Sequence, residues 1–364
     1  MLKKIIKKYL DYRGWSTNRK LVLFEVDDYG WSNYFDEDKI KYPDDLGIPP
    51  FVQYDRIATS DDLDRLYNVL CSVKDKNGQS AVFSPMTVTG NPDYRKIKDS
   101  DFTEYFSEPF TETFERNYGS KLLDKWNEGI NAGVFMPEYH GREHLHVSSW
   151  LNALSAPNSK TRKAFDAGVY TFADDGEKVL NRKFGAAYSF AHKSEIPFLK
   201  ESLKEGVDFY RDALKHTPSS FTPPAGGYSY DYDSLLTGLG LKAVSLGKAT
   251  QITSRSGSNK RKFHYLGQQS KSKMSYIPRN CLFEPHSKKS DAVNRCMRDI
   301  ESAFDRKKPA IISSHRINFV NDDSGYNGNG LLKLEKLLSK TIEKFPDVEF
   351  ISTRALIKIM EPLR

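Results

Sequence analysis

An α/β fold, a parallel sheet with crossover helices, is predicted by three features of the chain. Short apolar runs alternate with longer helical patterns from one end to the other. The first run, Leu21-Val-Leu-Phe-Glu-Val26, is apolar at consecutive positions, which suits a strand buried on both faces. Polar clusters then fall just past the carboxyl ends of the runs: Asp27-Asp28 after the first, His140 after the third, Pro224-Ala-Gly-Gly227 after the fourth, Asn280 after the sixth and His315 after the seventh. In a barrel of parallel strands that rim is where loops build active sites.

Taken in order, the strands are expected at 21–26, 80–85, 132–137, 219–223, 241–246, 275–279, 310–314 and 348–351. Helices are expected at 60–73, 121–130, 144–154, 195–215, 291–304 and 331–345. Ser60, followed by Asp61 and Asp62, has the composition of an N-cap with acid in the first turn. Residues 87–118 are rich in aromatics, acids and Pro without a clear period, and read as an insertion or a lid. The Asn/Gly-rich run 321–330 reads as a loop placed for substrate contact. The whole chain, 1–364, is expected to form one domain.

Residues 1–19 open with Lys pairs among Leu2, Ile5, Ile6 and Leu10. Lys7, Lys8, Asp11 and Arg13 interrupt any signal-peptide core, so a short amphipathic helix is expected, with weak membrane-surface contact as the alternative. No window offers the roughly 18 apolar residues of a membrane span. Cys71, Cys281 and Cys296 lack metal spacing and an even count, which points to reduced thiols and a cytoplasmic location. The net charge of +7 is accompanied by no nucleic-acid motif, and its densest patch, Lys260-Arg-Lys262, reads as a solvated loop or a groove for an anionic glycan or lipid carrier.

The chemistry concentrates in few residues. His140 and His144, in Pro137-Glu-Tyr-His-Gly-Arg-Glu-His144, stand at i and i+4, so on a helix both reach one ion. His146 lies about 200° around that helix from His144 and is expected to pack or face solvent. Arg142 and Glu143 are placed to orient the pair from behind. Asp27-Asp28 can supply a third ligand and a base, since two adjacent buried carboxylates need a cation between them. Asp174-Asp175 is a rival acid pair, read here as a turn. His315, ending Ala310-Ile-Ile-Ser-Ser-His315, suits a general acid. Arg279, Asn280 and Glu284 are candidates to tune it or to bind sugar hydroxyls, and Arg316 stands beside it.

This order of motifs resembles the polysaccharide deacetylase family, carbohydrate esterase family 4, related to the rhizobial chitooligosaccharide deacetylase. The resemblance runs from about Leu21 to the final helix. It implies a distorted (β/α) barrel of seven or eight strands and a divalent metal, commonly Zn2+, that serves hydrolysis of the acetamide of an N-acetylated sugar. By that resemblance Asp28, His140 and His144 hold the metal, Asp27 is the base and His315 the acid. The chain departs from the family pattern in three places: Glu25-Val26 replaces Thr-Phe before the acid pair, Gly141 replaces Ser or Thr after the first histidine, and Thr222 stands where an arginine is expected. Arg279 or Arg316 is then left to partner the base. Pro224, Gly226 and Tyr228 are expected at the substrate, with a backbone N–H of Ala225-Gly-Gly-Tyr228 at the oxyanion and Tyr228 flanking a sugar ring. The alternatives are O-deacetylation, glycoside hydrolysis, which ranks lower because the sequence names no second carboxylate to face the first across the sugar bond, and a non-catalytic glycan-binding barrel, against which the retained metal and acid–base set argues.

Overall fold

The computed structural model describes residues 12–36, 43–172, 182–287, 291–321 and 325–361. Strand β1, Lys20–Tyr29, is its axis and is buried from Leu21 onward. Seven further strands follow: β2 (Phe83–Thr87), β3 (Glu138–Tyr139), β4 (Ser220–Phe221), β5 (Ala243–Gly247), β6 (Ser275–Arg279), β7 (Ala310–His315) and β8 (Val348–Phe350). Their order is β6-β5-β4-β3-β2-β1-β7, and every pair in it is parallel.

The sheet closes on itself through one short segment. β6 pairs with β5, and immediately beyond Asn280 the residues Cys281–Leu282 pair with β7 on the other side. Asn280 holds this seam: its side-chain amide donates to Pro309 O and accepts from Ile311 N, both at 2.8 Å. β8 pairs with Lys20–Val22 at the start of β1, while β2 takes the later residues of the same edge. The result is a distorted (β/α) barrel with seven strands in the ring and an eighth wedged beside β1.

Seven of the eight expected strands overlap an observed one, several shortened; the third lies at Glu138–Tyr139, beyond the expected 132–137, where Phe135 makes only an isolated bridge to Phe83. Of the expected helices, five occur within one or two residues at either end: Ser60–Cys71, Lys121–Asn131, Ile196–Leu214, Ala292–Asp305 and Gly330–Lys344. The cap of the first is Thr59 rather than Ser60, in a reciprocal capping box with Asp62. Residues 87–118 fold into an antiparallel hairpin, Gly90–Pro92 with Ser107–Pro109, and the helices Tyr94–Asp99 and Phe110–Tyr118. Their aromatics fill the core: Phe110 and Phe114 pack with Trp126, and Tyr94 and Phe102 with Phe165. Among the described residues no helix is long and apolar enough to cross a membrane. The amphipathic segment read at 1–19 lies outside the described residues up to Asp11, and Asp174-Asp175 lies outside them entirely.

Candidate metal centre

In a regular strand Asp27 and Asp28 would point to opposite faces. Here the pairing of β1 with β2 shifts register between Val26 and Tyr29, and Asp28 adopts φ 78°. A left-handed residue with a Cβ is costly, and such strain is held where the surroundings impose it. The bulge turns Asp28 back, so both carboxylates line one cavity of about 680 Å³ at the carboxyl end of the barrel.

His140 and His144 sit on a loop, which corrects the helix expected from residue 144. Gly141, at φ 97°, interrupts any helix there, and a Cβ on it would meet the Tyr188 ring at 2.6 Å. The helix begins at Val147 and ends at Leu154, with His146 as its N-cap accepting from Ser149 N. The loop still aims both rings at Asp28: each Nε2 lies 3.6 Å from Asp28 Oδ1. One ligand atom from each of the three residues falls within 4.8 Å of the others.

Those atoms fit a divalent ion. A tetrahedral centre with bonds of about 2.0–2.2 Å spaces its ligands about 3.3–3.6 Å apart. Asp28 Oδ1 and His140 Nε2 are buried with no hydrogen-bond partner, a costly state that a shared cation relieves. His140 Nδ1 lies 2.7 Å from Thr222 O. A carbonyl only accepts, so the proton is on Nδ1 and the Nε2 lone pair faces Asp28. The His144 ring stacks on Trp31 with centroids 4.8 Å apart. Burial lowers the pKa of His144, which keeps its ring neutral. Burial pushes Asp28 up, but His140 and His144 more than offset it, and its carboxyl stays ionised well below the usual range.

Beside this trio stands the pair Asp27 and Arg279. Arg279 grips Asp27 with two bonds of 2.6 and 2.7 Å, reaches Glu25 through Nε at 2.7 Å, and touches Thr222 Oγ1 at 3.3 Å. Burial raises the Asp27 pKa, and the Arg279 charge outweighs it, so the carboxyl is held low. Across a gap of 4.0 Å from Asp27 Oδ2 lies His315 Nε2. The other ring nitrogen of His315 bonds Glu284 at 2.6 Å, and Asn318 Nδ2 donates to the second oxygen of that carboxylate at 2.8 Å. Burial lowers the His315 pKa, yet the Glu284 hydrogen bond and charge win and push it up to about 10.

Of the expected substrate residues, Gly226 and Arg279 line the cavity. Four others are turned elsewhere. Arg316 is fully buried, bonded to Asp55 and to Trp31 O, so of the two arginines Arg279 is the one that holds Asp27. Asn280 is committed to the barrel seam. Tyr228 is buried with its hydroxyl donated to Asp233, so it flanks no sugar. Pro224 is buried in a short turn whose carbonyls from Pro223 and Pro224 already hold the N–H groups of Gly226 and Gly227, which removes those donors from the oxyanion. Arg142 and Glu143 bond each other, with Glu205 and Ser202 beyond, and neither bonds His140 or His144. Glu284 does hold His315. Sequence reasoning missed Trp31, Glu25 and the carbonyl of Thr222, as well as Phe51, Asp55 and Tyr326 in the cavity wall. Trp31, three positions after Asp28, was the one within reach of a motif reading.

No family model matches the chain, and no curated protein sequence does. Among solved structures it is similar to 4-alpha-glucanotransferase from Thermococcus litoralis, at 10% identity and TM-score 0.50, over 95% of this chain and 41% of that one. It is also similar to a protein named "probable Polysaccharide deacetylase from Pseudomonas aeruginosa PAO1", at 10% identity and TM-score 0.46, over 94% and 91% of the two chains. A third is PuuE allantoinase, at 9% identity and TM-score 0.46, over 94% and 91%. At such identities the likeness concerns the fold. The chain spans about two fifths of the glucanotransferase.

Proposed function

We propose that the protein is a metal-dependent deacetylase that hydrolyses the acetamide of an N-acetylated sugar in an oligo- or polysaccharide. One observation carries the reading: Asp28, His140 and His144 bring ligand atoms within 4.8 Å of one another, those of Asp28 and His140 buried and unpartnered, with a carboxylate and an imidazole beside them. The resemblance of the motif order to carbohydrate esterase family 4 supports it and supplies the substrate class.

Asp28, His140 and His144 would hold a divalent cation, most simply Zn2+, which when bound would supply Lewis acidity toward the acetyl carbonyl and its attacking water. Asp27, fixed and kept ionised by Arg279, takes the proton from the attacking water. His315, kept protonated by Glu284, gives a proton to the departing amine. Amide and water become acetate and the free amino sugar, with no other reactant. Arg279 and Glu284 act through Asp27 and His315 as positioning residues.

Metal analysis of the purified protein and acetate release from N-acetylglucosamine oligomers test this together. His140→Ala is expected to lose both metal and activity. Asp27→Asn is expected to keep the metal while kcat falls by about 10²–10⁴. Full activity in either variant would sink the assignment.

A further inference from the structure

The reaction leaves the basic run Lys260-Arg-Lys262 unused. From residue 234 to residue 283 the chain has nine Lys and Arg and no Asp or Glu. Of its 55 Lys and Arg, the 46 elsewhere face all 48 Asp and Glu, so this stretch carries the entire positive excess. Its middle is an antiparallel hairpin, Ala249–Thr253 with Asn259–Phe263. The hairpin starts two positions after Gly247, which ends β5 and lines the cavity. Thr253 N donates to Tyr228 O at 2.8 Å, which ties it to the loop carrying Ala225 and Gly226.

Arg255 is neutralised by Asp231 at 2.7 Å. Lys260, Arg261 and Lys262 are exposed, and none forms an ion pair among the described residues. Three adjacent like charges repel, and a solvated face ordinarily mixes signs, as the rest of this chain does. Among the described residues nothing supplies their counter-charge, and an anionic ligand can. Among the described residues the exposed large hydrophobics are Tyr12, Phe198, Tyr230 and Leu332, none of them on the hairpin. The hairpin therefore offers no apolar face to sink among lipid headgroups, which leaves charge as its means of attachment.

We propose that this rim hairpin binds anionic groups of the glycan whose acetyl group enters the cavity, making the substrate an acidic saccharide that bears carboxylate or phosphate. The inference rests on the deacetylase reading for the cavity but not for the charge. The test measures binding of polygalacturonate, and separately of phosphatidylglycerol vesicles, at about 50 and 200 mM salt, where charge-driven binding weakens steeply. The variant K260S/R261S/K262S is compared with K98S/K121S/K336S, which removes the same charge from other exposed positions. The hairpin variant is expected to bind polygalacturonate at least ~10-fold more weakly than wild type, and the control within about threefold. Equal losses in both variants, no polygalacturonate binding by wild type, or hairpin-dependent binding to vesicles alone would overturn it. Acetate release from neutral N-acetylglucosamine oligomers is expected to be unchanged in the hairpin variant. A failed hydrolase reading therefore shows in that assay and leaves the binding result intact.

Discussion

At the residue scale, the departures of the chain from the family pattern account for one another. Thr222 gives up the guanidinium that the resemblance expects at its position, and Arg279 delivers one to the same spot from β6, touching Thr222 Oγ1 as it holds Asp27. An arginine buried there needs a second counter-charge, and Glu25, wholly buried, provides it. Gly141 replaces a side chain for which the Tyr188 ring leaves no room. The pH dependence follows from the same contacts. In the proposed mechanism Asp27 acts ionised, and Arg279 holds its pKa low, so the acid limb of kcat/KM is expected below the usual carboxylate range. His315 must be protonated, and Glu284 raises its pKa, so activity is lost as pH rises through that value. The ring is 43% exposed, and solvent screens the pair, which draws the limb back toward neutral. Glu284→Gln removes the carboxylate and is expected to move the alkaline limb to lower pH, read from a kcat/KM profile. An alkaline limb that stays in place would show that His315 is not the acid.

At the scale of the elements, two short irregularities do the positioning. The bulge at Asp27-Asp28 puts neighbouring carboxylates in one cavity, and the kink at Asn280 lets one segment bridge β5 and β7. Asn280→Ala would leave Pro309 O and Ile311 N without their partner. Unsatisfied backbone groups cost about 1–2 kcal/mol each, so a loss of about 2–4 kcal/mol is expected, seen as a lower urea midpoint at unchanged slope. A midpoint equal to wild type would contradict the seam. Most strands were legible, because runs such as 21–24 and 310–312 are apolar at successive positions and suit burial on both faces. The helices Phe110–Tyr118 and Thr353–Met360 were not, since eight or nine residues give barely two turns of periodicity. The spacing of His140 and His144 suggested a helix, whereas a glycine-kinked loop brings the two rings to Asp28.

At the scale of the whole molecule, parallel closure gathers side chains hundreds of residues apart at one rim. That rule marked Asp27, Asp28, His140 and His315 from sequence, and all four line the cavity. It also marked Asn280, which turns away, as do the candidates Arg316 and Tyr228, because position near a strand end does not fix the direction of a side chain set by its packing partners. Charge is likewise divided at this scale, with a balanced body and one basic flank rising from β5 at the cavity. The most direct test of the central claim is anomalous scattering at the zinc edge from crystals grown with the metal. A single strong peak is expected at about 2.0–2.3 Å from Asp28 Oδ1, His140 Nε2 and His144 Nε2. A crystal saturated with zinc whose peaks all lie away from these three atoms would contradict it.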